Sequence, residues 1–423
     1  MTTQASTAVD LAAIRAARER VRDVLVRTPL RRSRGFSKRT DAAVYFKYET
    51  LQVTGSFKVR GAVNKLRLLD DETRARGVIA SSAGNHAQGV AFGAADLDMP
   101  ATIVMPEDTP HVKIMRTEAY GDRIRAVLHG ESYDDAYTRA REIQAEEGQT
   151  FIHAFDDDDV INGQGTIGLE LLDDLPDLEA VVVPIGGGGL IAGIATAVTE
   201  INPAIKVYGV QSESVPSMYR SFQEGMLMEP VARPSIADGI AVKRPAQRTL
   251  DIIRRRVEDI VLISEAAIES AVVALLENGK TVVEGAGGAG VAAITASETL
   301  RAAIRGRRTA VILCGGNIDL NRLNLLIERA LARRGQVLRL RTVLVDRPGA
   351  LAALLNSIAE QKGNVLRVFH DRVYGPRMGR TEVVLTVGVR NREHGDRLLH
   401  AMRRAHPEVV ELPSGSPGVT PHP

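Results

Sequence analysis

Four short segments carry the residue types that could do chemistry. In Ser56-Phe57-Lys58-Val59-Arg60-Gly61-Ala62, a lysine stands beside an aromatic at the start of a helical stretch. A lone lysine is ordinarily a solvated surface residue. When buried, its amine is depressed toward neutrality and becomes a nucleophile or a Schiff-base former. The chain holds only nine lysines, so candidates are few. Gly186, Gly187, Gly188, Gly189 and Leu190 follow an apolar run, 180–184, and open a helix-like stretch. Backbone N–H groups can approach an anion closely where no side chain intervenes, and a helix N-terminus adds partial positive charge. The run lacks a GK[ST] ending, so it is a phosphate cradle of another kind than a P-loop, or else a tightly packed turn. Ser81-Ser82-Ala83-Gly84-Asn85-His86 follows a short strand and starts a helix. Its N–H groups suit a substrate carboxylate, and Asn85 offers both a donor and an acceptor. His86 reads as a structural residue. Cys314 ends the apolar run 310–313, at the sheet edge where ligands of open α/β folds gather. Otherwise it is an inert core thiol.

The elements that must position these segments alternate. Strands are expected at 44–48, 77–80, 101–105, 123–128, 180–184, 207–210, 260–263 and 309–314. Helices are expected at 10–26, 56–69, 85–95, 132–147, 190–200, 265–278 and 286–305. This rhythm means an α/β fold with largely parallel sheets. It changes near Arg333-Arg334-Gly335, where a boundary is expected at residue 336. Beyond it, strands at 337–345, 364–372, 381–389 and 408–412 and helices at 350–361 and 392–404 give the ferredoxin-like order βαββαβ. The tail 413–423, with four prolines, is expected to be disordered.

Composition excludes several classes. The 423 residues are 44% hydrophobic and 25% charged, an ordinary globular balance, and 54 basic residues against 52 acidic ones argue against a dedicated nucleic-acid binder. One cysteine permits no intramolecular disulfide and no multi-cysteine metal site. The first residues lack a basic and an apolar region, so a cytoplasmic location without membrane attachment is expected. Asp156-Asp157-Asp158-Asp159 reads as a solvated acidic turn, and no metal site is expected.

Taken together and in order, TGSFKVRGA, SSAGNHAQGVA, GQGTIGLE, PIGGGGL, ADGIAVK and CGGN resemble the threonine ammonia-lyases (threonine dehydratases), which are fold-type-II pyridoxal-phosphate enzymes. The resemblance spans roughly residues 10–335. Val345-Asp346-Arg347-Pro348-Gly349-Ala350-Leu351 resembles the start of a single regulatory ACT domain, as in the medium-length form. The resemblance implies a catalytic domain over 1–336, with a smaller subdomain inserted at about 50–157, and an ACT domain over 337–412. It also implies residue roles. Lys58 matches the lysine that carries the cofactor as a Schiff base and, once freed, takes the α-proton. Phe57 matches the aromatic against the ring, and Asn85 the partner of the ring hydroxyl. Gly186 to Leu190 match the phosphate loop, and Gly239 a cofactor-side loop. Ser82, Ala83 and Gly84 match the substrate-carboxylate loop. Cys314 matches the neutral residue facing the pyridine nitrogen; a neutral group there leaves the ring largely unprotonated and favours prompt loss of the β-hydroxyl.

The implied reaction is deamination of L-threonine to 2-oxobutanoate and ammonia, with L-serine as a second substrate, in a homotetramer serving amino-acid metabolism such as isoleucine biosynthesis. Serine racemases of this fold carry a serine at the position of Ala83, so racemisation is disfavoured. They also bind a divalent metal through acids after the strand 207–210, and the stretch 211–217 does not align those acids. Asp346, Arg347, Pro348, Gly349 and Ala350 would hold an amino-acid effector, with isoleucine the first candidate. Competing readings are a lyase for serine or threo-3-hydroxyaspartate, and a non-catalytic amino-acid sensor. A nicotinamide enzyme fails on pattern, because GGGGL is not G-x-G-x-x-G.

Overall fold

The computed structural model describes residues 8–371 and 378–412. The tail 413–423 and position 372 of an expected strand lie outside these. The chain divides into two compact units, Met1–Ile318 and Asp319–Pro423. The division falls ahead of the expected boundary at 336. Asp319 accepts hydrogen bonds from Asn321 and Arg322 N–H and so caps a helix, Leu320–Arg333, that the sequence reading passed over. Glu328 on that helix pairs with Arg367 at 2.5 Å, within the second unit.

Two sheets build the first unit. The larger contains β1 (Leu30–Arg32), β2 (Ala43–Tyr48), β7 (Ala180–Pro184), β8 (Lys206–Ser212), β9 (Asp259–Ile263) and β10 (Arg308–Leu313), in the order β1-β2-β10-β7-β8-β9. Only β1 runs antiparallel. The smaller contains β3 (Val78–Ser81), β4 (Ala101–Met105), β5 (Ile124–Leu128) and β6 (Thr150–Phe151), all parallel, in the order β5-β4-β3-β6. Every residue of β3, β4 and β7 is buried. Such continuous apolar runs are what a parallel sheet covered on both faces requires.

The second unit is a four-stranded antiparallel sheet, β12-β13-β11-β14, from β11 (Val337–Val345), β12 (Asn364–Asp371), β13 (Arg380–Gly388) and β14 (Val410–Glu411). Helices Ala350–Glu360 and Arg392–Ala405 complete the expected βαββαβ order. Along β11, Leu338, Leu340, Thr342 and Leu344 turn inward with period two, and the three leucines join one apolar core with Leu354, Ile358 and Leu398.

Local differences from the sequence reading have simple causes. The helix expected over 286–305 is two, Gly285–Ala296 and Glu298–Ile304, because Ser297 leaves helical geometry and caps the second through Leu300 N–H. The first helix ends at Val21, short of 26. Among the described residues, no helix is long and apolar enough to cross a membrane.

Candidate active site

Chain order scatters the four segments, and the parallel sheets bring them together at their C-terminal edge. Cys314 directly follows β10, and the glycine run follows β7 by one residue, Ile185. Phe57 N–H donates to the Cys314 carbonyl (3.0 Å), and Ser56 forms an antiparallel bridge with Gly315. These backbone bonds seat the lysine segment on the end of the cysteine strand.

Lys58 opens the helix Lys58–Arg67. Its Nζ donates to the Ala154 carbonyl at 2.9 Å and lies 5.2 Å from the Phe57 ring centroid. Burial pushes the amine down to about 8, against the opposing pull of Cys314 and Glu284. A lysine held there is neutral far more often than one in water.

Asn85 begins the helix Asn85–Asp96. Its Oδ1 accepts from Asn317 Nδ2 (2.8 Å), which also donates to the Thr54 carbonyl (2.8 Å). Its Nδ2 donates to Glu284 Oε1 at 2.7 Å. Glu284 is a site residue that the sequence reading missed. Burial, reinforced by Asp238, raises its carboxyl to about 7. Its Oε1 is the nearest atom to a methyl group placed on Gly315, and lies 3.3 Å from one placed on Gly239. Gly239 thus joins the site through Glu284. The available signal was an acid immediately before the glycine-rich run Gly285-Ala286-Gly287-Gly288. The Cys314 thiol is buried, and desolvation lifts it well above its usual range, so it stays neutral.

The glycine run fits an anion. Gly188 adopts φ +94° and caps the helix Gly189–Ile201. Thr249 Oγ1 donates to the Gly187 carbonyl (2.8 Å), which holds the loop from behind. The Phe155 ring packs so closely on Gly187 that no side chain fits there. Among the described residues, the N–H groups of Gly186 to Leu190 meet no acceptor. Buried N–H groups are rarely left unpaired; Gly187 to Leu190 are buried and Gly186 is half-buried, and such a set at a helix N-terminus suits a phosphate.

The Ser82 segment has a similar surplus. Gly84 N–H donates to Ser82 Oγ (3.2 Å), while the N–H groups of Ala83, Asn85 and His86 have no acceptor among the described residues. His86 Nε2 faces the Ile152 carbonyl at 2.8 Å, and burial drives its pKa down to about 3. It is therefore a neutral donor, in keeping with a structural role.

The acidic run 156–159 and the stretch 211–217 behave differently from one another. Asp156 to Asp159 form more than a solvated turn. Arg248 pairs with Asp156 (2.6 Å) and Asp158 (2.8 Å), and Lys65 with Asp157 (2.9 Å) and Asp159 (3.0 Å). Asp157 also caps the helix Asp158–Asp174. In the stretch 211–217, Gln211 Nε2 donates to Ser217 Oγ (3.4 Å), and Ser217 Oγ donates to the Val242 carbonyl (2.5 Å). Ser212 Oγ in the same stretch donates to Glu265 Oε1 (2.5 Å).

In the second unit, Gly349 takes φ +86° and caps the helix Ala350–Glu360. Asp346 N–H donates to the Gly379 carbonyl (2.9 Å), and Ala350 N–H to the Arg347 carbonyl (3.2 Å). Arg347 N–H donates to the Val345 carbonyl (2.9 Å), so three of the four N–H groups of the segment expected to hold an effector already have acceptors.

The L-threonine ammonia-lyase of Thermotoga maritima is 45% identical over 364 residues, covering 86% of this chain and 89% of that protein. The catabolic L-threonine dehydratase TdcB of Escherichia coli is 46% identical over 308 residues, covering 73% of this chain and 93% of that protein. Among solved structures, the processed form of threonine deaminase isoform 2 from Solanum lycopersicum shares 35% identity at TM-score 0.71, covering 76% of this chain and 95% of that chain. Maize serine racemase shares 32% at TM-score 0.72, covering 77% and 99%. The family described as "Pyridoxal-phosphate dependent enzyme" matches residues 21–315, more than half of the chain, which therefore belongs to the pyridoxal-phosphate-dependent enzymes.

Proposed function

We propose that the chain is an L-threonine ammonia-lyase, converting L-threonine to 2-oxobutanoate and ammonia. The observation that carries this reading is a half-buried Lys58 with a depressed amine, beside a glycine loop whose N–H groups meet no acceptor among the described residues, in a chain 45% identical to a protein of that name. When bound, pyridoxal phosphate supplies a carbonyl that takes up the substrate amine and a ring that draws electrons from the α-carbon.

The chain's own residues do the rest. The N–H groups of Gly186 to Leu190 hold the phosphate. Lys58 Nζ is the group that would hold the cofactor and, as a free amine, would accept the α-proton; an amine near pKa 8 is well matched to that task at neutral pH. Phe57 flanks the ring. Asn85, fixed by Asn317 and Glu284, would offer its amide to the ring hydroxyl, and Gly239 leaves room beside Glu284. Cys314, held neutral, gives the ring nitrogen no anionic partner. Ser82, Ala83 and Gly84 orient the substrate carboxylate. The Ala83 side chain bears no exchangeable proton, which argues for elimination over racemisation.

The C-terminal unit is read as a regulatory domain that takes an amino acid at Asp346 to Ala350, in a homotetrameric cytoplasmic enzyme. The test is the initial rate of 2-oxo acid release from L-threonine, L-serine and threo-3-hydroxyaspartate, with isoleucine titrated from none to excess. Threonine turned over fastest, with isoleucine raising its apparent KM, is the expected result. No oxo acid from threonine in protein holding the cofactor overturns the substrate assignment. Indifference to isoleucine overturns that effector alone.

A further inference from the structure

One cluster of charged side chains takes no part in the chemistry above. Lys47, Glu49, Arg60 and Glu170 are each at most 7% exposed. Arg60 Nε and Nη2 donate to Glu49 Oε2 (2.7 Å) and Oε1 (2.9 Å). Its Nη1 and Nη2 donate to Glu170 Oε1 (2.7 Å) and Oε2 (3.0 Å). Lys47 Nζ pairs with Glu170 Oε2 (2.6 Å) and donates to the Thr28 carbonyl (2.6 Å). Thr28 Oγ1 donates to Glu49 Oε1 (2.5 Å). Two cations and two carboxylates cancel, and both faces of the guanidinium fork are filled.

Stability alone is a poor explanation. Buried ion networks are often matched or bettered by apolar residues of similar volume. Their geometry is another matter. Two-point guanidinium–carboxylate pairs fix a plane as well as a distance. Glu49 comes from the turn after β2, and Glu170 from the helix Asp158–Asp174. Arg60 sits two residues beyond Lys58 on one helix, about 200° around its axis. The fork and the amine therefore leave the helix on opposite sides. The helix is also pinned laterally. A methyl group on Gly163 would stand 2.6 Å from the Arg60 carbonyl, and one on Gly61 would collide with Gln164.

We propose that Arg60 is a positioning residue for Lys58: clamped between Glu49 and Glu170, it sets the rotation of the helix and so holds Lys58 Nζ at its reacting position. The proposal rests on the reading that Lys58 carries the cofactor. The Lys58–Ala154 contact on one side and the Arg60 forks on the other are the two ends of one lever.

The test compares wild-type holoenzyme with Arg60→Lys, which keeps the charge and loses the fork. Four quantities are read: kcat, KM for L-threonine, the visible absorbance of bound cofactor against pH, and Tm. The wild type is measured first; absence of cofactor absorbance there fails the lysine reading, independently of the clamp. The expected result for Arg60→Lys is a kcat lower by about tenfold to 100-fold, as a misplacement near 1 Å costs. KM changes by less than about twofold, as for an interaction that acts after binding, and the pH titration of the absorbance is displaced. Should Arg60→Lys fail to fold, the charge-neutral pair Lys47→Met with Glu170→Gln leaves the Arg60–Glu49 fork in place and is read the same way. A variant with lowered Tm but wild-type kcat and an unshifted absorbance titration overturns the proposal, since the cluster is then only structural.

Discussion

Asn85 Nδ2 and Glu284 Oε1 meet at 2.7 Å across 199 residues of chain, and no cation is hydrogen-bonded to the carboxylate among the described residues. A neutral amide is a weak counterpart for a buried carboxylate. Desolvation therefore wins, and the carboxyl titrates near 7.

That raised value has a definite sign in stability. Between the ordinary 4.5 and about 7, the folded chain binds more protons than the unfolded one, so stability falls as pH rises through this window. The shift corresponds to roughly 3 kcal/mol. Glu284→Gln keeps an acceptor for Asn85 and removes the titration. Chemical denaturation of the cofactor-free chain should show Glu284→Gln gaining on wild type by up to about 3 kcal/mol between pH 4.5 and pH 8. Parallel pH curves for the two proteins would rule out the buried, titrating carboxyl.

Lys58 supplies a kinetic counterpart. Only the neutral amine attacks an aldehyde, and burial brings its pKa to about 8. Pyridoxal phosphate should enter the cofactor-free chain at a rate that rises about tenfold per pH unit below 8 and levels above it. Stopped-flow absorbance measures this. A rate still climbing at pH 10 would mean an ordinary solvated lysine.

The sequence carried the skeleton of both units. Apolar runs such as 101–105, 180–184 and 337–345 coincide with β4, β7 and β11, because a fully buried or strictly alternating strand leaves a strong pattern. The short edge strands β1 and β6 left none: three residues, Leu30–Arg32, and two, Thr150–Phe151, are too few for a period to register. Glycine runs and the lysine motif stood out locally. Glu284 did not, since its meaning lies in contacts with Asn85 and Gly315 made only in three dimensions. The Arg60 forks were hidden for the same reason, as Glu49 and Glu170 lie 11 and 110 residues from Arg60.

Gly188 tests the phosphate cradle. Its φ of +94° disfavours any side chain, by about 1–2 kcal/mol. A methyl group there would also stand 2.9 Å from Ile253 Cδ1 and Thr249 Cβ. Gly188→Ala should weaken pyridoxal phosphate binding by at least about tenfold, since loop N–H groups must shift together. Gly306, with φ +73° and open space around it, is the control. Gly306→Ala pays only the backbone cost and should leave the cofactor titration unchanged. Equal affinity in both variants would remove the loop from the cofactor site.

Cys314 closes the electrostatic picture. Its thiol is raised by burial first and by Glu284 second, so it contributes no charge at pH 8. Cys314→Ser keeps that neutrality and nearly the same shape. It should retain turnover within a few-fold, and the pH dependence of its stability should match wild type, because no titrating group has been added in the relevant range. Cys314→Asp instead places a second carboxyl within the influence of Glu284. Two buried acids that repel each other both bind protons more tightly when folded. The denaturation curve of the aspartate variant should therefore fall more steeply from pH 5 to pH 8 than that of wild type, and its turnover should drop well below that of the serine variant. A Cys314→Asp protein with wild-type pH dependence would mean that position 314 is open to water, and that the neutral face assigned to the cofactor's ring nitrogen is not there.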